Sequence, residues 1–217
     1  MDNHRFKIIY EDDYLIVVNK APGLLVIPSP KKERHTLTSL LNEMLAQRGL
    51  EIKVHPCHRL DRDTSGVIIY AKGKKNQQLV MEQFKKQKVK KEYIAFAQGN
   101  IKKESGEIKS HIDDTGREKP KLAITQYRVD KRSKSFTVVR VRPVTGRTNQ
   151  IRIHFKEMGH PLLGERRFAF AKDYVLRFRR PALHALNISL RHPGTGGYMT
   201  FSAPLAEDME EFLLAHQ

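Results

Sequence analysis

The sequence predicts an α+β fold built on a mostly antiparallel sheet, and three observations lead there. Short runs rich in β-branched and aromatic residues recur along the chain between turn residues. Other stretches carry apolar residues at helical spacing. The two kinds do not alternate in the regular strand–helix–strand rhythm of a parallel sheet.

The elements follow in order. FKIIYEDDYLIVVNKAPGLLVIP, from residue 6, alternates apolar runs with turn signals at Asp12-Asp13 and Pro22-Gly23, which reads as strands joined by tight turns. Over residues 36–49 the period changes: Leu37, Leu40, Leu41, Met44 and Leu45 share one helical face, and Gly49 is the stop. The polar stretch His58 to Gly66 reads as a loop feeding a buried strand, Val67 to Ala71. A helix over Asn76 to Gln87 and a strand over Glu92 to Ala97 come next. Residues 101–134, rich in Lys, Asp, Gly and Ser, read as exposed loops with room for one hairpin. Phe136 to Arg142 alternates as a strand with one buried face. Past Thr145-Gly146, Ile151, Phe155 and Met158 recur at helical spacing until Gly159 and Pro161 end the pattern.

With 217 residues, no repeat and no linker-like segment, a single domain spanning 1–217 is expected. No apolar run approaches the roughly 18 residues of a membrane span, and the N-terminus lacks the apolar core and cleavage site of a secretory signal. The lone Cys57 has no internal disulfide partner. The expectation is a cytoplasmic monomer with no membrane association. His55, Cys57 and His58 could suggest a metal, but three ligands within four residues seldom converge on one ion and no second cluster completes a zinc site. No metal is expected.

Charge narrows the partners: 40 Lys and Arg against 24 Asp and Glu leave a net charge of +16, which points to a polyanion. In such a chain an acidic residue in a basic segment stands out, because it would repel phosphate. HRLDRDTSG, residues 58–66, sets two carboxylates among two arginines; Asp63, with Thr64, Ser65 and Gly66, is accounted for as a turn, while Asp61 reads either as a turn cap or as a working carboxylate. GRTNQIRIHF, residues 146–155, puts Arg147 and Arg152 around a helix start, on a solvated face or as a guanidinium that holds a carboxylate ionised. In KKEYIAF, residues 90–96, Tyr93 reads as core or as a platform for a base.

Together these segments resemble the RluA-type RNA pseudouridine synthases, over nearly the whole chain. YEDDYLIVVNKAPGLLV at 10–26 resembles the family's opening motif, HRLDRDTSGVIIYAK at 58–72 its catalytic motif and KEYIAFAQG at 91–99 the segment with its tyrosine. GRTNQIRIHFKEMGHPLLGE at 146–165 and LHALNISLRHP at 183–193 match the remaining signatures. The chain departs from the pattern at Asn149, where the family usually shows His, and over Arg166 to Arg180, which is more basic than its usual counterpart.

The resemblance implies a mixed, mainly antiparallel sheet flanked by helices and loops, and isomerisation of uridine to its C-glycoside within ribosomal or transfer RNA, ribosomal RNA being favoured. No cofactor is implied, since the isomerisation involves no net redox change or hydrolysis, and the chain carries no P-loop or GxGxxG. By the matching motifs Asp61 is the nucleophile, Arg152 its partner and Tyr93 the residue that stacks on the base. His58, Arg59, Thr64, Lys91, Arg147, Asn149 and Gln150 are expected to bind the RNA or the target nucleotide, with Arg59 filling the space left by a flipped uridine. Lys85, Lys86, Lys88, Lys90 and Lys91, with the Arg166 to Arg180 stretch, are the expected RNA grip, because the opening motif begins by residue 10 and no appended N-terminal RNA-binding domain is expected. The competing readings are a non-catalytic basic RNA-binding or ribosome-assembly protein on the same fold, and a metal-dependent nuclease, which would need a companion set of acids.

Overall fold

The computed structural model describes residues 5–30, 33–113, 119–169 and 176–216. In chain order the elements are strands β1 (Phe6–Glu11) and β2 (Leu15–Lys20), helix α1 (Leu37–Gln47), strands β3 (Val54–Pro56) and β4 (Ser65–Lys72), helix α2 (Gly73–Lys85), strands β5 (Lys90–Gln98), β6 (Ser105–Ile112), β7 (Lys121–Arg132) and β8 (Phe136–Pro143), helix α3 (Gln150–Glu157), strands β9 (Leu183–Arg191) and β10 (Tyr198–Ser202), and helix α4 (Glu207–Ala215). They fall into two compact units, Met1–Lys90 with Ala185–Ala206, and Lys91–His184 with Glu207–Gln217. Among the described residues no helix is long and apolar enough to cross a membrane.

In the first unit the strand order is β1-β2-β4-β9, with β3 beside β4 and β10 beside β9. Antiparallel ladders join β1 to β2, β2 to β4, β3 to β4 and β9 to β10. Every residue of β4 is buried, which is why its central stretch Val67 to Ala71 is apolar without alternation. Thr36 caps α1 and forms a capping box with Ser39, and Leu37, Leu41 and Leu45 face inward as the spacing predicts. Helix α2 begins three residues before the expected Asn76: its first turn, Gly73-Lys74-Lys75, holds no apolar residue for periodicity to register. It ends ahead of Gln87, which adopts a left-handed conformation (φ 54°).

The second unit orders its strands β5-β8-β7-β6, all antiparallel. Here one expectation is corrected. The one hairpin allowed for in residues 101–134 is present, but it takes up most of the segment in place of exposed loops, with two long strands paired from Ser105↔Arg128 to Ile112↔Lys121. Their polarity misleads because only one face is covered: Ala123, Thr125 and Tyr127 point inward while their neighbours face water. That inward face joins Ala95, Ala97, Val139 and Val141 and is sealed by Ile151 and Phe155 of α3. On the other face Phe96, Phe136 and Phe212 of α4 form an aromatic group with ring separations of 5.4 to 6.0 Å.

Candidate active site

In the first unit, the candidate nucleophile lies in the loop between β3 and β4, and backbone chemistry fixes that loop. Cys57 N–H donates to Ile69 O at its start, and Thr64 N–H donates to Asp61 O, closing a tight turn. Ile69 N–H donates to His58 Nε2, which places the ring proton on Nδ1 and seats the imidazole against Phe84 at 5.1 Å. The Cys57 thiol is buried and pushed up to about 12 by desolvation. At the far end Gly66 has φ +112°, and a Cβ there would run into the backbone of Ala185 on β9.

A lysine that sequence reasoning did not single out completes the anchoring. Lys20 is fully buried, and its Nζ donates to the carbonyls of Ala21, Leu24 and Arg62 at 2.8 to 2.9 Å. Gly23 N–H donates to the same Arg62 carbonyl. The residue after Asp61 is thereby tied to the Pro22-Gly23 turn, and the Arg62 side chain pairs with Glu33 at 3.0 Å. Within this frame Asp61 is half-exposed and Arg59 exposed. Thr64 is only 3% exposed. It lies inside the turn that its own N–H closes on Asp61 O.

In the second unit, Lys91, Arg147, Asn149, Gln150 and Arg152 belong to one network around the β8–α3 connection. Gln150 is 4% exposed and spends its amide inside the protein. Its Nε2 donates to Ile124 O and Thr125 Oγ1, and its Oε1 accepts from Thr145 Oγ1 and Arg147 N–H. Gln150 thus braces the loop against β7. Lys91 Nζ donates to Thr145 O at 3.2 Å, and burial pulls its pKa down to about 8. Arg147 Nε reaches Leu122 O at 3.3 Å. Tyr93, two residues beyond Lys91 on β5, is half-buried against the core that includes Ile151 and Phe155.

Asn149 and Arg152 give the site its direction. Asn149 takes a left-handed conformation (φ 55°) at the cap of α3, which asparagine adopts at little cost, and its Oδ1 accepts from Arg152 Nη1 at 2.7 Å. Glu165, fully buried, grips the same guanidinium as a fork: Nε to Oε2 at 2.6 Å and Nη2 to Oε1 at 2.8 Å. Phe168 lies against it, 5.1 Å from ring centroid to Cζ. Sequence reasoning missed Glu165, although a lone acid in a basic stretch is the same signal that drew attention to Asp61. The expected RNA grip divides: Lys85, Lys86, Lys88 and Lys90 are exposed, as are Arg166, Arg167, Arg177 and Arg179. Arg180 is instead buried and paired with Asp208 through two bonds of 2.7 Å, which removes it from that surface. Lys172 of the same stretch lies outside the described residues.

Comparison with known proteins covers both sets of residues. A family model described as RNA pseudouridylate synthase matches residues 14–157, a span holding Asp61, Tyr93 and Arg152. The ribosomal large subunit pseudouridine synthase D of Haemophilus influenzae is 34% identical over 99% of this chain and 72% of its own. The dual-specificity RNA pseudouridine synthase RluA of the same organism is 34% identical, covering 90% of this chain and 91% of that one. In structure, human RNA pseudouridylate synthase domain containing 4 superposes with a TM-score of 0.80 at 23% identity, over 95% of this chain and 91% of that one, which shows a shared fold. With its α+β architecture, its motifs in order and these relatives, the chain belongs to the RNA pseudouridylate synthase family of isomerases, as an RluA-type member.

Proposed function

We propose that this protein converts specific uridines in structured RNA to pseudouridine, with Asp61 as the nucleophile and ribosomal RNA favoured over transfer RNA. The observation that carries the reading is the Asp61 loop: in a chain of net charge +16 it presents a half-exposed carboxylate on a backbone anchored from both ends. An acid held there would weaken phosphate binding unless the reaction used it. The preference for ribosomal RNA is supported by the relative named as a large-subunit enzyme.

In this reading the carboxylate of Asp61 opens the reaction at the ribose, by attack at C1′ or by starting glycal formation. The N1–C1′ bond breaks, the detached uracil turns, and C5 bonds to C1′ as the carboxylate leaves C1′ in the first route or as C2′ regains its proton in the second. The C5 proton leaves and N1 gains one, so atoms and electrons balance without an oxidant or hydrolysis. Arg152 is the partner that the matching motif gives the nucleophile, Tyr93 stacks on the base, and Arg59 fills the space left when the uridine flips out.

The test is Asp61→Asn, assayed by tritium release from 5-labelled uridine in a short stem-loop RNA. The amide is nearly isosteric, so folding by circular dichroism and RNA binding should persist while turnover disappears. Appreciable tritium release from a preparation free of deamidated protein would sink the assignment. Mapping modified uridines in cellular RNA with and without the protein decides between ribosomal and transfer RNA.

A further inference from the structure

We infer that Glu165 is a positioning residue for the reaction, acting through Arg152. The inference rests on the proposed role of Arg152 and concerns how that guanidinium is aimed. A guanidinium carries five N–H donors in one plane, and its usefulness to a second carboxylate depends on which edge it presents. Glu165 occupies the Nε–Nη2 edge at 2.6 and 2.8 Å, which fixes the plane. Asn149 accepts one Nη1 proton at 2.7 Å, which fixes the roll, and Phe168 covers one face. Nε, Nη1 and Nη2 each donate to a fixed partner, so the orientation of the whole group is set from its own unit.

Glu165 is itself held rigidly. Besides Arg152, its Oε1 accepts from the backbone N–H of Arg167 at 2.8 Å and of Phe168 at 3.3 Å, and the side chain is fully buried. The preceding Gly164 has φ +74°, and a Cβ there would collide with the carbonyl of Arg180, so the chain reaches this position only through glycine. Leu163 N–H bonds to Phe96 O, fastening the segment to β5. Such an arrangement argues against Arg152 as a simple phosphate contact: a fully buried carboxylate at 2.6 Å cancels most of the charge a phosphate would seek and leaves direction as what the group supplies.

The experiment is a double-mutant cycle on the full chain, using single-turnover tritium release and RNA affinity. In Glu165→Gln the amide donor faces the Arg152 donor, so the fork is lost at nearly constant volume. The folded variant should lose about tenfold or more in rate with affinity within about twofold of wild type, the pattern of a group that matters in the transition state. Because Glu165 acts only through Arg152, Glu165→Gln/Arg152→Lys should be no more than about twofold slower than Arg152→Lys alone. A folded Glu165→Gln with a wild-type rate overturns the inference, as do losses that simply multiply in the double variant. Wild-type turnover by Arg152→Lys would instead overturn the reading of Arg152 beneath it, and the inference with it. Should Glu165→Gln not fold, Glu165→Asp, which keeps the charge but is one methylene shorter, enters the same cycle under the same criteria.

Discussion

Lys91 offers a prediction whose sign and size both come from the structure. Its Nζ sits beside the β8–α3 connection with Thr145 O as acceptor at 3.2 Å, and desolvation lowers its pKa from 10.5 to about 8. Between those two values the unfolded chain holds a proton that the folded chain has released, so stability rises with pH across that window. At about 1.4 kcal/mol per pH unit, keeping this ammonium charged at neutral pH costs at most about 3.5 kcal/mol relative to a solvated lysine. Lys91→Met removes the titration but also the bond to Thr145, so the absolute difference from wild type is set by both effects. Only its pH dependence isolates the charge. The stability of wild type minus that of Lys91→Met should therefore rise by up to about 3 kcal/mol as pH goes from about 7 to about 10. The chain has no tryptophan, so urea unfolding followed by far-UV circular dichroism is the suitable assay. A difference constant to within about 0.5 kcal/mol over that range would refute the reasoning and place the ammonium in water.

Two other outcomes follow from the packing. Gly66→Ala should destabilise the first unit by about 3 kcal/mol or more, since it combines a strained positive φ with a collision against Ala185; a melting temperature within about 2 °C of wild type would contradict the close approach. Arg180→Met should lower stability without changing RNA affinity, whereas changing Lys85, Lys86, Lys88 and Lys90 to Gln should flatten the salt dependence of binding by about 0.7 to 0.9 in log–log slope for each phosphate no longer neutralised. Filter binding at several salt concentrations separates the two, and a shallower slope for Arg180→Met would return that arginine to the RNA surface.

How much was legible in the chain depended on whether the signal was local. The α1 helix was readable because Thr36, the leucine spacing and Gly49 are all written within one short segment. The buried β4 was readable because Val67 to Ala71 is apolar without interruption. The length of the 105–132 hairpin, for which the sequence left room, was not, because its inward residues include Gly106, Ser110 and Thr125, whose burial depends on α3 closing over one face of the sheet. The start of α2 was misplaced for a related reason: Lys74 and Lys75 carry no period, and the helix is extended through them by its packing against β3 and β4.

The same division runs through the site. The sequence by itself determined the family and the loop that carries Asp61, because turn residues, an apolar strand and an acid among bases are properties of neighbours in the chain. Only the tertiary structure decided which charges are spent inside the protein. Arg180 turned out to be a buried partner of Asp208, and Lys20 the clamp on Arg62. Arg152 acquired Glu165, thirteen residues away, through a turn that Gly164 alone permits. The physical reason is that a charged side chain takes its role from desolvation and from the geometry of its partner, and both are set by segments that meet only when the chain has folded.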